Sequence, residues 1–170
     1  MTDEQQPSVI GAGEGRVITG PTGPPMIIKA GSADTHDAYA LIEYSHAAGA
    51  EGPTAHVRHE HEEAFYVIDG QLTLEVDGRI VTVETGGFAV VPRGAVHRPS
   101  NRSDRPVRFF FIASPAADGF FVEMGQLATA TGGRPSGAQL REIGDRRDTE
   151  YVDLDEHDTG VHLRNEPTAG

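Results

Sequence analysis

Residues 71–84 read QLTLEVDGRIVTVE, and the reading of this stretch decides the fold. Leu72, Leu74 and Val76 alternate with other residues and share one face of an extended strand. Asp77-Gly78 accepts the positive φ of a tight turn, and Val81 and Val83 carry the return strand. The stretch is a β-hairpin. Outward from it, from Val17 to Ala113, short alternating or apolar runs recur about every eight to twelve residues, separated by Gly, Pro or Asp-Gly. They predict strands at Val17 to Thr19, Met26 to Ala30, Ala38 to Ser45, Thr54 to Arg58, Ala64 to Ile68, Phe88 to Val91, His97 to Ser100 and Val107 to Ala113. Strands so short and closely spaced, with no helical period between them, predict an all-β antiparallel sandwich or barrel rather than βαβ units.

The period changes after Pro115. In DGFFVEMGQLATAT, Phe120, Phe121, Met124 and Leu127 recur at near-helical spacing, which predicts a helix laid against the barrel. GGRPSG breaks that helix, and Ser136 is placed to cap a second short one through Gln139, Leu140 and Ile143. From Asp145 to Gly170 there are eight acidic and three basic residues and few apolar ones. The expected organisation is a flexible N-terminal arm over 1–15, the β-barrel over 16–114, a helical extension over 115–154, and an acidic disordered tail over 155–170.

Composition limits the partners. Among 170 residues, 14 Lys and Arg face 26 Asp and Glu, a formal charge of −12, and no basic stripe offsets it. Such a surface repels phosphate backbones, so neither nucleic acid nor an anionic membrane is an expected partner. The N-terminus MTDEQQPSV has no apolar h-region and no run approaches the ~18 apolar residues of a membrane span, so a cytoplasmic location is expected. There is no cysteine, hence no disulfide, no thiolate nucleophile and no zinc-thiolate site. A metal would have to be held by His, Asp or Glu.

Three of the eight histidines, His56, His59 and His61, fall within GPTAHVRHEHEEAFYVIDG (52–70), followed at once by Glu62 and Glu63, and His97 lies in GGFAVVPRGAVHRPSN (86–101). Imidazole and carboxylate ligands suit Fe, Ni, Mn, Co, Cu or Zn, and two or three His with one Glu and open positions make a site for redox or Lewis-acid chemistry.

These residues resemble the cupin family. Gly86-x5-Pro92-x-Gly94-x2-His97-x3-Asn101 fits the second cupin motif at every fixed position, Glu63-x6-Gly70 fits the end of the first, and GPTAH looks like the lead-in to its first histidine. The resemblance covers about Val17 to Ser114. It implies a double-stranded β-helix, a small jelly-roll barrel with one divalent transition metal (Fe, Ni, Mn or Zn) in its mouth, held by His-x-His and Glu of the first motif and His of the second. The chain departs from this pattern inside the first motif. With Glu63 as carboxylate, the paired histidines belong at 57 and 59 or at 56 and 58, where Val57 and Arg58 break one register each. A bulge between His56 and His59 would turn both inward. The expected ligands are therefore His56, His59, Glu63 and His97, with His61 in reserve and Glu62 on the outer face. Failing that, the site is a weak metal binder or a metal-free pocket with Arg58 inside.

Around this centre, Phe65, Val67, Val107, Phe109 and Phe111 are expected to point inward and Arg108 outward, which makes Arg58, Phe65, Phe109 and Phe111 the candidate substrate pocket. Arg58 is an outward charge or a cation for a substrate carboxylate. Gly86, Pro92, Gly94 and Asn101 shape the loop that carries His97. His36, His46, His157 and His162 are expected to have no role. Exposed sheet edges suggest a homodimer. By resemblance, the function is that of a metal-dependent dioxygenase of a small phenolic or enolic substrate, in which Glu63 also accepts a proton. The alternatives are a metal-dependent isomerase or lyase, and a non-catalytic small-molecule-binding or regulatory module with a degenerate metal site.

Overall fold

The structure, a computed structural model, describes residues 8–20, 24–152 and 161–163. In chain order, β1 (Arg16–Ile18), β2 (Met26–Ala30), the single turn α1 (Ser32–Thr35), β3 (Ala40–His46), β4 (Ala50–Pro53) and β5 (His56–Val57) lead to β6 (Glu62–Asp69), β7 (Gln71–Val76) and β8 (Arg79–Glu84). Then come β9 (Phe88–Val91), β10 (His97–Ser100) and β11 (Val107–Ser114), followed by α2 (Asp118–Thr131), α3 (Gly137–Arg146), β12 (Glu150–Tyr151) and β13 (Val161–Leu163). One sheet has the order β1-β2-β3-β11-β6-β9 and the other β12-β5-β10-β7-β8, while β13 pairs with β4. The chain crosses between sheets from β6 to β7 and from β9 to β10, and the pairing is antiparallel throughout. This is the double-stranded β-helix expected above.

The hairpin forms as its sequence dictates. Asp77 and Gly78 take φ of 46° and 76°, and Val76 pairs with Arg79 across the two-residue turn. Alternation then sorts the side chains. Leu72 and Leu74 on β7, Phe65 and Val67 on β6, and Val107, Phe109 and Phe111 on β11 are buried between the sheets, while Arg108 faces out and meets Glu43 of β3 at 3.5 Å. Tyr66, Phe88 and Val90 are exposed on the outer face of the β6–β9 pair.

The helices close one end of the barrel. Phe120 and Phe121 of α2 are buried, and the Phe121 ring stands edge-on to Phe111 at 5.3 Å, while Met124 and Leu127 pack at the margin of the core. Ser136 caps α3: its Oγ accepts the Gln139 N–H at 3.3 Å, and Gln139 Oε1 accepts the Ser136 N–H at 2.9 Å.

Two expectations need correction. The strand expected over Thr54 to Arg58 is the two-residue β5, and the preceding AEGP forms β4, which its Gly and Pro conceal in the sequence. The acidic tail over 155–170 is not disordered throughout, because Val161–Leu163 pair with β4. The remaining expectations for the arm and the tail fall on 1–7, 153–160 and 164–170, which lie outside the described residues.

Gly52 is required where β4 passes β10. Its φ is 74°, and a Cβ there would lie 1.9 Å from the Pro99 carbonyl oxygen. Gly52→Ala is therefore expected to destabilise the protein by about 2 kcal/mol or more, whereas Gly133→Ala, where a Cβ meets nothing within 4 Å, stays within about 0.5 kcal/mol. Thermal unfolding of the two variants checks the difference.

Candidate metal centre and pocket

β5, β6 and β10 each deliver one ionisable side chain to the same buried point. His56 and His97 stand directly opposite each other across the β5–β10 pair, with ring centroids 4.5 Å apart. Glu63, on the inward face of β6, reaches between them. One ligand atom from each of His56, Glu63 and His97 lies within 4.8 Å of the others, and all three residues are buried.

Hydrogen bonding fixes the tautomer of both rings. His56 Nδ1 lies 2.9 Å from the Thr54 carbonyl oxygen and His97 Nδ1 lies 3.1 Å from that of Ala95, in each case two residues back. A carbonyl only accepts, so each Nδ1 carries a proton and each ring turns its Nε2 towards the cavity. Backbone carbonyls orient metal-binding histidines in this way.

His97 Nε2 is in contact with Glu63 Oε2. That contact calls for a cation, either a proton on the ring or a metal ion. Neither Glu63 oxygen nor His97 Nε2 has a hydrogen bond of acceptable geometry, although all are buried. A metal ion shared by His56, Glu63 and His97 satisfies these atoms together, so the residues present fit such a group.

Arg58 is the fourth member of the cluster. The two-residue alternation of β5 runs on past Val57, so Arg58 follows His56 inward and is only 3% exposed. Its Nε lies 2.6 Å from Glu63 Oε1, Nη1 donates to the Arg147 carbonyl at 3.2 Å, and Cζ stands 5.1 Å from the centre of the Phe120 ring. A guanidinium stays charged even here. Burial by itself raises the pKa of Glu63, but contact with His97 and the charge of Arg58 outweigh it and hold the carboxyl at about 2. Such a carboxylate is a firm anion and a weak base at neutral pH. Burial, with His97 alongside, lowers His56 to about 4 and keeps it neutral against the pull of Glu63.

The expectation for His59 is corrected. No bulge turns it inward: its side chain is 59% exposed and Nε2 lies 3.0 Å from Glu150 Oε2. The reserve ligand His61 is also elsewhere, with Nδ1 2.6 Å from Asp148 Oδ2. Asp148 captures the whole loop, accepting the backbone N–H of His59 at 3.0 Å and of Glu60 at 2.8 Å. Its partners lie almost ninety residues away in the chain, so local spacing carries no sign of this clasp.

Above the cluster is an apolar cavity of about 400 Å³, lined by Arg58, Phe65, Phe109 and Phe111 as expected, and by Phe120 and Phe121 of α2. The polar residues of its wall that the sequence reading missed include His46, Arg134 and Tyr151 of β12. His46 was expected to have no role, yet alternation along ALIEYSH puts Ala40, Ile42, Tyr44 and His46 on one face. Asn101 also does more than shape its own loop: its Nδ2 donates to the carbonyls of Ala47 and Arg105, at 2.9 and 2.7 Å.

Residues 43–113 match the family model described as the cupin domain. Over 67 residues the chain is 36% identical to the tetracenomycin polyketide synthase protein TcmJ of Streptomyces glaucescens, a stretch that makes up 39% of this chain and 45% of that protein, so the chain spans less than half the relative's length. A solved sugar phosphate isomerase of the cupin superfamily from Silicibacter pomeroyi is 18% identical with a TM-score of 0.54, over 65% of this chain and 77% of that one. At that identity the likeness is one of fold. A conserved Klebsiella pneumoniae protein with a double-stranded β-helix domain is 18% identical with a TM-score of 0.46, over 53% and 75% of the two chains.

Two predictions follow from the cluster and the wall. Replacing the guanidinium by a third imidazole, as in Arg58→His, removes a fixed cation and adds a ligand, so the affinity for Zn²⁺ measured by calorimetry is expected to rise at least tenfold. Burial lowers the pKa of His46 from 6.5 to about 4. The unfolded chain therefore binds the extra proton first, and stability falls as pH drops below 6.5. At pH 5 this contribution is roughly 2 kcal/mol, and His46→Phe is expected to lose less melting temperature than wild type between pH 7 and pH 5.

Proposed function

Residues 43–113 match the cupin domain, and from that match we propose that this chain is a metal-dependent cupin enzyme acting on a small, mainly aromatic molecule with a phenolic, enolic or carboxylate oxygen. The observation that carries this reading is the convergence of two inward-facing imidazoles and one ionised carboxylate, from His56, His97 and Glu63, at the floor of an apolar cavity. A divalent metal held by these three residues supplies Lewis acidity and, if it is iron, the oxygen chemistry associated with two-histidine, one-carboxylate sites. Oxygenation is accordingly the reaction put first, ahead of an isomerase or lyase step.

The protein's own side chains divide the remaining work. Phe65, Phe109, Phe111, Phe120 and Phe121 exclude water and hold flat apolar rings. Arg58, stacked on Phe120 and tethered to the Arg147 carbonyl, offers a fixed cation to the substrate's oxygen beside the ligands. The resemblance to a polyketide synthase protein agrees with this substrate class, because polyketide-derived molecules carry phenolic and enolic oxygens.

A second reading, a binding module that works without metal, is favoured by the Arg58–Glu63 ion pair, which neutralises the buried carboxylate by itself. Elemental analysis of protein purified without chelator separates the two. About one equivalent of a single transition metal is expected in wild type, in His59→Ala and in His61→Ala, with less than a tenth of that in His97→Ala. Full metal in the His97 variant, or wild type that stays empty after incubation with Fe²⁺, Ni²⁺, Mn²⁺ and Zn²⁺, overturns the metal reading and leaves the binding module. With metal established, oxygen uptake on phenols and enols tests the reaction class.

A further inference from the structure

His46 stands in the cavity wall and takes no part in the cluster described above. It is 8% exposed, and its ring meets Tyr44 edge-on at 5.4 Å and Phe109 at 5.3 Å. Its Nδ1 is buried with no hydrogen-bond partner, and among the described residues its side chain makes ring contacts alone. An unpaired buried nitrogen costs stability, of order 1–3 kcal/mol, so a position that keeps one calls for an explanation. An apolar ring would make the same contacts with Tyr44 and Phe109 without that cost.

The strand register separates His46 from Glu63. Along β11, Val107 pairs with His46 and Ala113 pairs with Glu63, so the two residues flank opposite ends of that strand. Between them the inward face of β11 presents only Phe109 and Phe111. Along this strand the cavity wall therefore runs from Glu63 past two aromatic rings to a second polar group, His46.

Resting on the small-molecule reading above, we infer that His46 is a second polar anchor, and that the pocket takes an elongated aromatic ligand with an oxygen function at each end. The anionic end lies at Arg58 and the metal ligands, and a hydroxyl or carbonyl reaches a ring nitrogen of His46. The imidazole suits such a group because burial keeps it neutral at physiological pH, with a pKa near 4, so it offers one donor and one acceptor and carries no charge. An oxygen function beside the ring gives the imidazole a hydrogen-bond partner that the described residues do not supply, and a ligand without one gives it none. This is the situation in which a buried polar group discriminates strongly between two ligands of nearly the same shape.

The test compares paired probes by calorimetry on the full chain, loaded with Zn²⁺ and again after chelation. The pairs are 2-naphthoate with 6-hydroxy-2-naphthoate, and anthracene-2-carboxylate with its 6-hydroxy derivative, to cover two lengths. In wild type at least one hydroxylated probe is expected to bind about tenfold more tightly than its parent. In His46→Leu that gain disappears, and the hydroxylated probe binds no more tightly than its parent. His46→Phe, which keeps an aromatic ring against Tyr44 and Phe109, repeats the measurement should the leucine variant fail to fold. Absence of the gain in wild type for both pairs, or its persistence in a folded His46 variant, overturns the inference. Parents that bind to a metal-loaded protein without any hydroxyl gain overturn it alone and leave the proposed function standing, whereas failure of every probe to bind overturns both.

Discussion

Glu63 is a charge held in the middle of a barrel, and the structure is arranged around keeping it there. An ionised carboxylate taken out of water costs several kcal/mol unless cations and polar groups surround it. Arg58 supplies one cation, 2.6 Å away, and the paired imidazoles of His56 and His97 complete the shell. These partners come from β5, β6 and β10, so the two sheets have to meet at this point for the carboxylate to be tolerated. Deleting one partner leaves a buried charge uncompensated, which is costlier than never having buried the pair.

Arg58 extends that constraint to the C-terminal extension. Its guanidinium bonds the Arg147 carbonyl and lies over Phe120, and Asp148 grips the loop that follows Arg58. The segment after the barrel is therefore part of the site: α2 supplies two aromatic walls, and the turn after α3 holds the arginine in place. Where the motif that this stretch resembles has a second histidine, this chain has a cation that does not coordinate a metal. The consequence is a pocket that sets the charged cluster against a long apolar wall.

The strands, the hairpin at Asp77-Gly78, the helix over Asp118–Thr131 and the Ser136 cap were all legible in the sequence, because each rests on interactions within a few residues. The site was half legible. His56, Glu63 and His97 follow from motif spacing, and Phe65, Phe109 and Phe111 from alternation. The error at His59 came from counting histidines: three in six residues suggested that two must be ligands, and a bulge was assumed to make them so. The simpler alternation, which puts Arg58 inward, prevails because Arg58 has partners inside and His59 has partners outside. His46 was passed over although it shares the inward face of β3 with Ala40 and Ile42.

What the sequence by itself determined is whatever depends on period and local geometry: an antiparallel barrel, the turn residues that carry His97, an acidic surface, and a metal chemistry limited to His, Asp and Glu by the absence of cysteine. Only the tertiary structure decided which of the clustered histidines enter the site, that Arg58 joins them, and that His46 shares their cavity. The physical reason is range. Alternation and turn propensity act between neighbours, whereas the direction of Arg58 and of His59 depends on where a cation or an imidazole finds its partner, and those partners, Arg147, Asp148 and Glu150, lie almost ninety residues further along the chain.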